Sequence, residues 1–167
     1  MERGQKIILT ILAVLLAVAL AVLAVIVSTR EPEVIISEFQ APPFEENALR
    51  GVPAGVDKLE HYREIVVEGG YTFSLDGTPI LDGDRLLVHF SSHANNAAWL
   101  RIRIYDMEGN KIGESGLLRA GEYVEAVSLS SIPPIDAVFV KILSYEPDTY
   151  YSLGAATATL PIQRTAN

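Results

Sequence analysis

Hydrophobic and polar residues follow two different rhythms along this chain. Ile7 through Val27 is an unbroken apolar run apart from Thr10, with no charge, proline or glycine. At 1.5 Å per residue, about 21 residues reach roughly 30 Å, the thickness of a bilayer's hydrocarbon layer, so the run predicts a transmembrane helix over 7–28. After Gly69-Gly70 the rhythm changes to short segments of period two. Leu100, Ile102 and Ile104 alternate with Arg101, Arg103 and Tyr105, which predicts a strand with one buried and one wet face. Similar segments are expected at Tyr71–Leu75, Arg85–Ser91, Lys111–Glu114, Tyr123–Leu129, Ala137–Tyr145 and Ser152–Ile162. Between them lie Asp76-Gly77, the loop 92–96, Met107-Glu108-Gly109-Asn110, Pro133-Pro134 and Glu146-Pro147-Asp148.

No sustained helical period follows Gly70, and many short strands separated by Gly, Pro and Asp predict an all-β domain. The expected architecture is a transmembrane helix followed by an antiparallel immunoglobulin-like β-sandwich over 69–163, with a jelly roll as the alternative. Residues 1–6 form the amino-terminal flank and 164–167 a tail. Residues 29–68 read as an acidic stalk, interrupted by Pro42-Pro43, Pro53 and the Gly51/Gly55 pair. Within it, the β-branched runs 34–36 and 65–67 are able to add strands, and Asp57 is a candidate helix cap for a short turn through Arg63.

Charge sets the orientation. Arg3 and Lys6 precede the apolar run and Arg30-Glu31-Pro32-Glu33 follows it, which predicts a cytoplasmic amino terminus and an extracytoplasmic domain. The run exceeds the 7–15 apolar residues of a signal peptide and lacks an Ala-x-Ala exit, which favours an uncleaved anchor over a cleaved leader. Ala13, Ala17 and Ala21 recur at a spacing that lets two helices approach, so a homo-oligomer is a candidate state. Beyond Arg30 stand 20 acidic and 10 basic residues, a formal charge of −10. That balance argues against nucleic acid as a partner. The absence of cysteine excludes disulfides, thiol chemistry and cysteine-held metals.

The candidate chemistry is sparse. In GESGLLRAGE, Ser115 lies between Glu114 and Gly116, but a hydrolase elbow needs Gly-x-Ser-x-Gly before a helix, and the glycine here follows the serine directly. Gly116 and Gly121 suit tight backbone positions instead. Asp76, Asp82 and Asp84 lack the spacing of a calcium loop, and His89 and His93 straddle a strand end rather than one helix face. Trp99 is expected as a core anchor, and the adjacent pair Tyr150-Tyr151 as a recognition surface. Leu160-Pro161 lacks the rest of a sortase signal. No catalytic residue, metal or cofactor is implied.

The stretch DMEGNKIGESGLLRAGEYVEAVSL, with AVFVKILSYEPDTYYSLGAATATLPI after a gap, resembles a family of small single-span bacterial surface proteins of Gram-positive type. The matching positions are Glu114, Ser115, Gly116, Leu117 and Gly121, with Val127 and Leu129 in the next strand; Pro133-Pro134 departs from the pattern. The resemblance implies an immunoglobulin-like extracytoplasmic domain, in some members associated with mobile genetic elements, and carries over no catalytic residue. The expected function is non-enzymatic: binding another protein at the cell envelope. A glycan-binding module and a self-assembling surface subunit are the alternatives.

Overall fold

The computed structural model describes residues 40–68 and 70–165, together with helical positions 15, 16 and 18–20. The chain divides into two compact units, residues 1–39 and 40–167. In the first, the described side chains Leu15, Leu16, Val18 and Leu20 are exposed. Among the described residues no helix is long and apolar enough to cross a membrane, and most of the expected span 7–28 lies outside them.

The second unit is a two-sheet β-sandwich. Its strands are β1 (Leu49–Arg50), β2 (Tyr62–Val66), β3 (Thr72–Asp76), β4 (Ile80–Asp82), β5 (Arg85–Ser92), β6 (Trp99–Tyr105), β7 (Lys111–Glu114), β8 (Glu122–Ser128), β9 (Ala137–Tyr145), β10 (Ser152–Pro161) and β11 (Gln163–Arg164). One sheet runs β1-β8-β5-β3-β2, with β4 also paired to β5 and β11 added parallel to β4. The other runs β10-β9-β6-β7 and is antiparallel throughout.

Period two explains the core. Leu86, Val88 and Phe90 from β5 meet Leu100, Ile102 and Ile104 from β6 and Val138, Val140 and Ile142 from β9, all at 0% exposure. Alternate residues on the same strands point outward, which is the geometry a pleated strand imposes. β5 keeps that alternation through a bulge in its pairing between Leu87 and Phe90, where His89 has φ 45°. The extra residue shifts the register so that one strand serves β4 and β8 at one end and β3 and β8 at the other.

Two sequence expectations are corrected. Asp57 does not cap a helix: Gly55, with φ 77°, takes that position before a 3-10 turn at Val56–Lys58, and Tyr62 already belongs to β2. Trp99 is half-buried rather than a core anchor, because Ala98 and Leu100 occupy the inward positions on either side of it. The structure also differs from the stalk reading over 40–68. This stretch lies in the same compact unit as the sandwich, where it supplies β1 and β2 and a contact with the Glu114–Gly121 loop.

Candidate functional site

The Glu114–Gly121 loop crosses from β7 to β8 and therefore links the two sheets. Leu118 exchanges both backbone bonds with Leu100 at 2.7 and 3.0 Å, and Leu117 and Leu118 are fully buried. On its other side the loop holds the chain before β1. Leu117 N–H donates to the Pro43 carbonyl at 2.9 Å, Glu45 N–H donates to the Leu117 carbonyl at 3.0 Å, and Gly116 N–H donates to Glu45 Oε2 at 2.7 Å. The backbones approach so closely that Gly116 has no room for a β-carbon. Gly121 is needed for a different reason: its φ of 76° lies in the left-handed region.

Ser115 has no catalytic partner among the described residues. It is buried, its Oγ donates to the Gly116 carbonyl at 2.8 Å, and the same atom accepts from Ile102 N–H at 3.2 Å. The hydroxyl satisfies backbone groups where β6 meets the loop, its donor and an acceptor lone pair both engaged by the main chain.

Glu114 collects three cations. Its Oε2 accepts from Arg101 Nη2 at 2.8 Å and Arg103 Nε at 3.2 Å, and its Oε1 from Lys111 Nζ at 2.7 Å. Burial pushes this carboxyl up, but the Lys111 hydrogen bond and the charges of Arg101, Lys111 and Arg103 outweigh it and hold the group below the ordinary glutamate value of 4.5. A depressed carboxyl adds stability above its unfolded-state value, and that stability is lost as pH falls through the folded one. Glu114→Gln is therefore expected to flatten the acid limb of the melting temperature below about pH 4.5, by a modest amount because the group is only partly buried and solvent screens its pairs. Calorimetry of both forms across that limb checks it.

Tyr150 and Tyr151 lie on the loop between β9 and β10, where Asp148 (φ 68°) and Tyr150 (φ 58°) adopt left-handed backbone. That geometry turns the two rings apart. Tyr150 packs edge-on to Trp99 with centroids 5.2 Å apart, Trp99 packs on Phe44 at 4.8 Å, and the Arg119 guanidinium sits 3.6 Å over the Phe44 ring. Tyr151 remains 72% exposed. The structure thus brings Tyr150 and the motif loop into one aromatic rim through Phe44. Phe44 and Glu45 were not singled out in the sequence; a lone aromatic-acid pair after Pro42-Pro43 is the one signal that marks them.

From Thr149 to Gln163 the chain carries no charge. This stretch includes β10, ten residues long, which pairs with β9 on one side and has no strand on the other among the described residues. The remaining edges are protected. β1 is two residues long, β2 places Arg63 and Glu64 on its edge, and β7 is covered by the Gly113–Leu129 bridge and by Ser130 N–H donating to Ile112 at 2.7 Å.

The other candidates disperse. Asp76 Oδ1 accepts from Thr78 N–H within its own turn, and among the described residues no three acidic or histidine side chains converge as a metal site would need. His93 pairs with Glu64 at 3.8 Å beside a groove of about 660 Å³, in which Tyr62 Oη and Ser91 Oγ bond each other at 2.7 Å. His89 lies at the β5 bulge, on another strand position.

No protein-family model and no curated protein matches this chain. Among solved structures it is similar to a Lactobacillus rhamnosus beta-glucuronidase at 13% identity and a TM-score of 0.39. The alignment covers 62% of this chain and 22% of the enzyme. A likeness of that degree carries no argument about activity.

Proposed function

We propose that this chain is a non-enzymatic, single-span surface protein, anchored by residues 7–28 with an extracytoplasmic immunoglobulin-like domain that binds another protein at the cell envelope. The observation that carries the binding reading is β10. It is a long, uncharged sheet edge in an acidic domain, and such an edge offers its free backbone groups to an incoming strand. Tyr151 and Leu153, 72% and 54% exposed, stand at its start and supply apolar anchors for the partner's side chains. The apolar run at 7–27 and the flanking charges support the anchor, and the resemblance at 114–121 supports the surface role.

A photo-crosslinker at Thr157 in intact envelopes is expected to capture a protein neighbour. With the crosslinker kept at Thr157, Thr159→Glu, which sets a charge on the exposed side of the edge opposite Phe139, should lower capture about tenfold or more without lowering the melting temperature. Full capture by the Thr159→Glu chain would remove β10 from the interface. Recovery of no protein neighbour would count against the binding reading as a whole.

A further inference from the structure

The outward face of the β10-β9-β6-β7 sheet runs against the charge of the rest of the chain. Arg103 on β6 stands directly across from Glu114 on β7 and from Lys141 on β9. A guanidinium and an ammonium are therefore immediate cross-strand neighbours, an arrangement that weakens a sheet. With Arg101 and Lys111, four cations share this face with the single carboxylate of Glu114, a local excess of +3 in a chain of net charge −8.

Acidic residues are abundant elsewhere in the sequence, so the lack of a second one here is not a matter of composition. A local rule broken with only one carboxylate to compensate four cations is where an external ligand is to be sought.

The unused donors define that ligand. Arg103 gives Nε to Glu114, and its two terminal nitrogens have no acceptor among the described residues; Lys141 has no ion-pair partner among them either. Arg101 is 8% exposed and fixed by Ser115 and Glu114, so one side of the row is held rigidly. Tyr105 and Phe139 border the row at one end, with ring centroids 6.0 Å apart, and Leu143 lies across from Arg101 at the other.

We propose that this face binds a phosphate group of a polyanion, its oxygens bridging Arg103 and Lys141. A phosphate fits better than one more carboxylate because it carries several acceptor oxygens and, within a polymer or a lipid surface, repeated charge. The chain's overall acidity does not prevent this, since at physiological ionic strength distant charges are screened beyond about 8 Å. The inference does not rest on the strand-pairing edge, which uses the outer backbone groups of β10, although Thr157 of that strand stands across from Lys141.

The full chain in nonionic detergent is treated with an amine-acetylating reagent, and each lysine is read by mass spectrometry. Soluble polyphosphate is expected to slow acetylation of Lys141 about threefold or more, relative to chloride of equal ionic strength, without slowing Lys58, which lies beside Asp76, Ile80 and Gln163 of the other sheet. The protection should vanish in Arg103→Gln. A parallel arm holds the chain in nanodiscs of phosphatidylcholine with or without phosphatidylglycerol. Protection of Lys141 by polyphosphate assigns the phosphate to a soluble or wall polymer, and protection confined to the anionic discs assigns it to lipid headgroups. Absence of protection in both arms, equal protection of Lys58, or protection that survives Arg103→Gln overturns the proposal.

Discussion

Gly116→Val is expected to expel the Pro43–Glu45 segment and lower the unfolding free energy by about 2–4 kcal/mol. A β-carbon at this position would lie 2.6 Å from the Phe44 carbonyl carbon and closer still to the Glu45 nitrogen and α-carbon. These are backbone atoms, which cannot swing aside as the end of a side chain does. The left-handed region is not involved, so the cost comes from space alone. If the segment leaves, three hydrogen bonds are lost between it and residues 116–117, and Phe44 is withdrawn from Trp99 and Arg119. Trp99 is the sole tryptophan, so its fluorescence should shift to the red in the native state of the variant. Denaturant titration gives the energy and the emission maximum gives the cause. A variant with an unchanged midpoint and unchanged emission would show that the contact contributes nothing.

Phe90→Ala is expected to cost about 3–5 kcal/mol, a large share of the roughly 5–15 kcal/mol that holds a domain of this kind folded. Phe90 is fully buried, packs 6.2 Å from the Phe73 ring and sits opposite Val124 in the β5–β8 pair. Alanine there leaves a cavity between two sheets whose backbones are fixed by their ladders, so little collapse can fill it. Phe90→Leu should recover most of the loss, which separates cavity formation from a change in the bulge one residue earlier. Equilibrium unfolding of the three proteins decides the matter: a loss under 1 kcal/mol for alanine would mean the core relaxes around the site.

The contrast between these two residues shows what the sequence makes legible. Phe90 lies in Arg85–Ser91, a run whose period two announces both strand and core side. Lys111–Glu114 and Ala137–Tyr145 are equally plain, and their observed bounds coincide with the expected ones. β4 spans three residues between Pro79 and Gly83, too few for any period to emerge. β2 is an edge strand with Arg63 through Val66 exposed, so no alternation of burial shapes its residues. Trp99 could have been placed correctly by extending the alternation of Leu100, Ile102 and Ile104 back one residue; residue type overrode pattern.

The Gly116 contact was hidden for another reason. Its partner is 71 residues away, and a glycine required by a distant backbone leaves no local trace that distinguishes it from a turn glycine. Gly121 follows the ordinary rule and Gly116 does not, although the two stand in one motif. Tyr150 was legible as a residue near the surface, while its packing on Trp99 depends on left-handed backbone at two non-glycine positions, which few sequence rules would assign.

The place where the chain first enters the sandwich also has a mechanical meaning. Tension applied at Gln40 would reach Pro43–Glu45 before any long strand, and would act on a grip made of a few hydrogen bonds and one aromatic ring. Slippage there would strip Phe44 from the indole while Tyr150 stayed against it, so a tug on the chain would register as a shift in ultraviolet emission.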